Sequence, residues 1–525
     1  MTTAPTWHHP REHALVILAR NVSTRYVLIV VNVLIGLMML RYNVHHLGQD
    51  TYGLLILATS VTAYFTVFDF GYGSAVVRYV AEFRARGDVK ALNETLSTMA
   101  FVFGGIGVLC YLLAIGIAVA LPYLFNIEPG QVQSGRLVVL ICALQVALLF
   151  PFSIFGGVIN GFERYYVNNV VGLVFNVLTA IVNVIVLAMG YGIVELVTCS
   201  MALRIAPLWI YRWNAYRVFP QLEIRRRHFR GERLRELSGF SVYVAVVDWS
   251  ARLTYTTDAF FLGVFMNTAA VAVYAVAQRI TDTLLTLTQQ IHTLLMPAVV
   301  HRAIDGETAG QRSMMIRATR FQFAIAMCLC GAIGTAAATL IHAWLGSGWN
   351  ASARVTQILA AVVVIRAAIA MPITTLQGTG HHRFVAAASA FGAVVNLILS
   401  VVMVAIWGVV GVALATAIAA ALCAVLVFPR SCRAVGIGVW TGCRSILLPA
   451  LWPAALAVVF VKWLQQALPI GVVPALMTVT LGMATYAAVF VLFGLDREEH
   501  RWFLSVWQRI ASRRSQALAA GEMVG

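Results

Sequence analysis

The sequence predicts an all-α polytopic integral membrane protein of about 14 transmembrane helices, set out as two six-helix bundles plus a C-terminal helix pair. Three observations carry that prediction. Of 525 residues, 60% are hydrophobic and only 11% charged, whereas roughly a quarter of a soluble domain is charged. Runs of about 20 apolar residues, the length that crosses a bilayer, follow one another with little chain left for a soluble domain. Lysine and arginine gather in alternate connecting segments, as they do in cytoplasmic loops.

The runs lie near 15–40, 52–77, 97–121, 136–158, 166–188 and 192–211, then 239–265, 269–299, 318–345, 355–377, 384–406 and 409–428, and finally 446–464 and 471–493. The first is expected to be retained, because it carries Arg20 and Arg25 and lacks the small-residue cleavage site of a signal peptide. With the N-terminus placed inside, 26 of the 37 Lys and Arg residues fall in cytoplasmic segments, four outside and seven within the runs. Both termini are therefore expected in the cytoplasm. The domain plan is a cytoplasmic N-terminus 1–14, a first bundle 15–211, a basic linker 212–238, a second bundle 239–428, an extra helix pair with its preceding loop 429–493 and a basic tail 494–525. Six spans are an even number, so both bundles enter from the same side, which suits a parallel repeat.

Several function classes drop out. Most of the eight cysteines sit inside apolar runs, which fits neither a disulfide scaffold nor a metal site, and no cofactor is expected. The net charge of +16 and the cluster Arg225 to Arg235 do not signal nucleic acid, since the cluster joins two spanning helices and has few aromatics to stack bases; anionic lipid headgroups are the expected partner. Asp69-Phe70-Gly71 spells a kinase magnesium triplet without the rest of that machinery, and no phosphate-binding Walker sequence occurs. The outer loops are short and carry almost no carboxylates, which disfavours a membrane glycosyltransferase or polymerase.

What remains is charge inside the helices, where each ion costs a few kcal/mol unless it is paired or faces water. Arg20, Arg204, Arg320 and Glu195 lie near run ends and are expected to snorkel to the interface. Arg25, Arg252, Arg279 and Arg366 lie near mid-depth, with Asp69, Asp248, Asp258 and Asp282 at comparable levels. Such residues point to a transport pathway, with structural ion pairs as the competing account. Arg25 and Asp69 sit at similar depth on antiparallel helices, while Asp248 with Arg252 and Arg279 with Asp282 have the spacing of local salt bridges; Arg366 has no acid within four residues.

Leu47-Gly48, Tyr52-Gly53 and Asp69 to Ala75 running into Arg78 to Glu82 resemble the first hairpin of polysaccharide-export flippases, the Wzx-type O-antigen transporters of the multidrug/oligosaccharidyl-lipid/polysaccharide exporter superfamily. Asp258 to Gly263 with Val271 to Arg279 resembles the turn between helices seven and eight of that family, and Asn160-Gly161 to Arg164 and Gln377-Gly378 to Arg383 resemble its short cytoplasmic turns. The resemblance implies two bundles around a cavity that opens alternately to each side of a bacterial inner membrane. It implies, as cargo, an undecaprenyl-diphosphate-linked oligosaccharide for O-antigen, capsule or exopolysaccharide, and polymerase machinery as a partner. Arg25, Arg252, Arg279 and Arg366 are then the expected diphosphate ligands, because guanidinium forks match phosphate oxygens. Asp69, Asp258 and Asp282 are the candidates to carry a coupling proton or sodium ion. The alternative is a cation-coupled multidrug exporter of the same superfamily, which would want an acidic cavity. The loop Arg78 to Lys90 lacks the signature of major-facilitator transporters.

Overall fold

The computed structural model describes residues 11–69, 72–232, 242–304, 308–469, 471–496 and 499–500. Every regular element among them is helical. Among the described residues ten helical stretches are long and apolar enough to cross a membrane. The chain is thus a multi-pass membrane protein, and its large apolar side chains are turned outward accordingly, as at Leu112, Val119, Val174 and Val459.

Helix α1 (Arg11–Ala63) bends at Gly48, whose φ of 75° is open to glycine without the Cβ clash other residues meet. A 3₁₀ turn (Tyr64–Asp69) follows, then α2 (Tyr72–Arg86). The expected continuous run 52–77 is therefore corrected to a helix, a tight turn and a second helix. Asp69, Gly71 and Gly73 are poor helix formers and weaken that stretch.

Asp88 caps α3 (Val89–Leu124) by accepting from the Ala91 amide at 3.0 Å. Helices α4 (Val132–Gly161), α5 (Tyr165–Ala188) and α6 (Ile193–Val218) follow. Glu195 closes the start of α6 by accepting from the Gly192 amide at 3.1 Å, so it serves as a cap.

The remaining helices are α7 (Val242–Phe265), α8 (Thr268–Ile304), α9 (Thr308–Leu345), α10 (Asn350–Gly378) and α11 (His382–Ala434), which turns at Gly408 with φ 56°. After them come α12 (Val439–Ile446), α13 (Leu448–Ala467) and α14 (Val472–Val489). The short helix α12 lies in the stretch expected as loop.

Packing divides the chain into two compact units, Met1–Thr283 with His382–Ala419, and Leu284–His381 with Ala420–Gly525. In the first, α2, α3 and α4 bury Val76, Val80, Leu96, Met99, Ile154 and Val158 against one another. A Cβ on Gly157 or Gly161 would fall 2.5 Å from a Val76 or Val80 methyl, so these glycines set how closely α2 and α4 approach. The basic linker is tied to α3: Asn93 donates to the Gln221 carbonyl at 2.8 Å and accepts from the Glu223 amide at 3.0 Å. Ser97 bonds the Glu223 carbonyl at 3.1 Å. In the second unit, α9, α13 and α14 share a core of Phe323, Ala450, Ala454, Tyr486 and Phe490. Tyr486 donates to the Ala450 carbonyl at 3.1 Å.

Candidate functional site

In the first unit the segment of α1 after Gly48 is pressed onto the turn between α7 and α8. Gln49 donates to the Ala269 carbonyl at 3.3 Å and Thr268 donates to Asp50 at 3.3 Å. A Cβ on Gly53 would lie 1.8 Å from the Thr268 carbonyl oxygen, so only glycine permits this contact. The same packing carries Arg279 of α8 against α1: an ideal Cβ on Gly36 would lie 1.6 Å from its Nη2. The Arg279 side chain remains exposed, with Asp282 and Tyr52 as electrostatic neighbours. At 1.5 Å per residue, Arg279 sits about 16 Å from the start of α8.

Asp258 of α7 is 3% exposed, and its hydrogen-bond partners among the described residues are neutral hydroxyls. The Tyr274 hydroxyl donates to its Oδ2, and the Thr416 hydroxyl donates to the same oxygen at 3.3 Å. Asn396 in turn donates to Thr416 at 3.0 Å. Among the described residues the other carboxylate oxygen, Oδ1, is buried without a hydrogen-bond partner, and so is the hydroxyl of Ser400, one turn along α11 from Asn396. A buried acceptor left open calls for an explanation such as an ion. Oxygen ligands from carboxylate, hydroxyl and amide form a set suited to a proton or a small hard cation. Sequence reasoning had singled out Asp258; it missed Tyr274, Asn396 and Thr416, which come together only because α11 folds back on α7 and α8.

The other expected site residues fare differently. Arg25 lies exposed on α1, while the side chains of Asp69, Asp248 and Arg252 lie outside the described residues, so the Arg25 and Asp69 pair and the Asp248 and Arg252 pair do too. Asp282 is half-buried three residues after Arg279. Arg366 of α10 is half-buried in the second unit with the Cys423 thiol as an electrostatic neighbour. Arg279 and Arg366 therefore belong to different compact units.

Two arginines expected to snorkel are engaged with the protein. Arg20 stacks on the Tyr166 ring at 3.7 Å. The expectation for Arg320 is corrected outright: it is 3% exposed, and its Nη2 donates to Asp496 at 2.7 Å and to Glu499 at 2.6 Å. The two acids follow the last span in sequence, and no local spacing could have linked them to α9.

Three comparisons bear on this architecture. The chain is 21% identical over 356 residues to the uncharacterized membrane protein EpsK of Bacillus subtilis (strain 168), covering 67% of this chain and 70% of the relative. Its fold matches that of the lipid II flippase MurJ in an inward closed conformation, with a TM-score of 0.73 over 90% of this chain and 98% of the other at 11% identity. It also matches an inward-facing multidrug resistance MATE transporter of the MOP superfamily, with a TM-score of 0.64 over 77% of this chain and 94% of the other at 14% identity. The chain thus has the fold that these two solved transporters share. The family model described as polysaccharide biosynthesis protein matches residues 18–301, more than half the chain and the stretch that holds Gly36, Asp258 and Arg279, so the chain belongs to the polysaccharide biosynthesis protein family.

Proposed function

We propose that this protein flips an undecaprenyl-diphosphate-linked oligosaccharide from the cytoplasmic to the outer leaflet for surface polysaccharide assembly, by alternating access. The observation that supports the reading is Arg279, an exposed guanidinium resting on Gly36 within a chain of the polysaccharide biosynthesis family. A diphosphate cannot cross hydrocarbon unaided, and a fork of N–H donors is its natural partner. A cationic drug would be repelled there, which favours the flippase over the multidrug exporter of the same fold.

Asp258 is the coupling residue in this reading. Its open oxygen, beside the Thr416 and Asn396 pair, accepts a sodium ion or a proton, and loading neutralises a buried carboxylate whose partners among the described residues are neutral hydroxyls. Arg25 and Arg366 are secondary candidates for the cargo, and Asp69 and Asp282 for the ion.

The test is export in cells that depend on the chain. Arg279→Ala should lower export at least tenfold at unchanged protein level and leave lipid-linked oligosaccharide on the cytoplasmic side, while Arg279→Lys retains part. In proteoliposomes, Asp258→Asn should abolish the response to an imposed sodium or proton gradient. Full export by Arg279→Ala would remove the cargo role, and extrusion of a cationic dye by the wild type that Arg279→Ala leaves intact would favour the drug exporter.

A further inference from the structure

In the first unit α1 and α5 run side by side in the same direction, and hydrogen bonds join them at intervals. Asn21 donates to the Glu163 carbonyl at 2.8 Å and accepts from the Tyr166 amide at 2.8 Å. Asn169 donates to Thr24 at 3.2 Å, and Tyr42 donates to the Val184 carbonyl at 3.1 Å. Between these links Asn176 donates to Asn32 at 2.9 Å. That link is a pair of side-chain amides, with Asn176 exposed and Asn32 half-buried, and neither makes another hydrogen bond among the described residues. One such bond consumes one N–H and one carbonyl, so the pair keeps a carbonyl oxygen and several N–H groups unspent, whichever way the two amides are turned.

Neither amide is directed at lipid. The exposed apolar side chains of this part of α1 are Val27, Val30, Leu34 and Met38, a single stripe at helical spacing, and Asn32 lies on the opposite side of the helix. On α5 the stripe runs through Val170, Val174, Ile181 and Ile185, and Asn176 lies roughly 140° round the helix from it. Asn176 is the twelfth of the 24 residues of α5, so a helix that crosses the bilayer keeps it within the hydrocarbon span. An accessible polar group at that level, turned from the lipid side, belongs to an aqueous path.

Asn32 is also one helical turn from Gly36, the residue on which the Arg279 guanidinium rests. The amide pair and the guanidinium thus share one face of α1, about 6 Å apart along its axis. A site for an anion is thereby continued by a site for neutral hydroxyls.

We propose that Asn32 and Asn176 bind the sugar next to the diphosphate of the cargo. A sugar hydroxyl donates and accepts at once, and a pair of neutral amides answers both, whereas a guanidinium offers donors alone. A few converging polar groups are what fix orientation and specificity in a binding site. Resting on the diphosphate-linked cargo proposed above, this gives the two parts of the headgroup separate readers, Arg279 for the phosphates and the amides for the sugar.

Native mass spectrometry of the full-length protein tests this with two ligands, undecaprenyl diphosphate and the lipid-linked oligosaccharide isolated from cells that lack the protein. The wild type should hold the oligosaccharide lipid at least tenfold more tightly than the bare lipid. Asn32→Ala/Asn176→Ala should bind both alike, at the wild-type affinity for the bare lipid, while Arg279→Ala weakens both. Tyr42→Phe breaks the link to Val184 and should keep the wild-type preference, which separates a sugar site from a seam that merely joins helices. Asn176→Ala alone serves if the double variant does not fold, since Asn176 is exposed, and should lower the preference at least threefold. An unchanged preference in the amide variants, or an equal loss in Tyr42→Phe, would overturn the sugar site. So would a wild type that holds both lipids alike while Arg279 still governs the bare one, and the cargo reading would then stand. Binding of the bare lipid that is indifferent to Arg279→Ala would overturn the cargo reading, and the sugar site with it.

Discussion

Asp258 and Arg320 are each 3% exposed, each carries a formal charge among helices, and their partners could hardly differ more. Arg320 is held by two carboxylates at 2.7 and 2.6 Å, one of them as buried as itself. Asp258 is held by two hydroxyls on one oxygen, with the second oxygen left open. Desolvating a charge costs several kcal/mol, and an ion pair offsets that cost permanently. A hydroxyl pair offsets it in part, and leaves room for an arriving cation to supply the rest. The first arrangement locks a segment in place; the second is built to exist in two states of occupancy. A buried charge in a transporter is therefore read by what surrounds it, and depth alone does not separate the two cases.

The sharpest way to break that contrast is to remove the locked charge. Arg320→Ala strands Glu499 in the core of the second unit and frees Asp496, so the loss should be about 3–5 kcal/mol, the range for breaking one side of a buried pair. Chemical unfolding in detergent would report it, together with a fall in expressed protein. A loss below 1 kcal/mol would place Arg320 with the weak surface pairs and undo the distinction from Asp258.

Two glycines sharpen the comparison at the next level. A Cβ on Gly53 meets backbone, the Thr268 carbonyl at 1.8 Å, whereas a Cβ on Gly36 meets only the far end of the Arg279 side chain. Backbone has to move in the first case and a flexible tip in the second. Gly53→Ala should cost about 1–3 kcal/mol in stability, the usual price of overpacking. Gly36→Ala should leave stability almost unchanged and lower export by displacing the guanidinium. Thermal unfolding with parallel export assays separates the two outcomes, and equal destabilisation by both would mean that Arg279 is rigidly locked.

Much of the fold was legible because bilayer thickness imposes one length on every span and charge bias marks the loops. The breaks at Gly48 and Gly408 fall between expected runs, 15–40 and 52–77 in one case and 384–406 and 409–428 in the other, whereas the tight turn Tyr64–Asp69 inside the run 52–77 was not legible. Asp258 was legible as an acid at mid-depth. Tyr274, Asn396 and Thr416 were not, because polar residues of these types are common in spanning helices and only the packing of α7, α8 and α11 gathers them. The expectation that Arg320 reaches the interface failed for a related reason. Its partners are 176 and 179 residues away, beyond any helical periodicity.

The smallest expected effect concerns the rim of the Arg320 lock. The Asp496 side chain is 68% exposed, so its bond to Arg320 is screened by solvent and by salt, and its share should stay below about 1 kcal/mol. The Arg320 guanidinium holds the Asp496 carboxyl below the usual carboxylate range. A depressed value in the folded protein means that the contribution is complete above the unfolded value, about pH 4 for aspartate, and is lost as pH falls through the folded one. Asp496→Asn should therefore be slightly less stable than the wild type at neutral pH, and the gap should close in acid. Raising the salt concentration at neutral pH should narrow it as well, while the larger defect of Arg320→Ala, which rests on buried Glu499, stays nearly salt-independent. Unfolding midpoints of the three proteins across pH and ionic strength would show whether the lock is graded in this way. An Asp496→Asn defect that grew on acidification would reverse the assigned sign, and the exposed carboxylate could no longer count as a partner that favours its charged form.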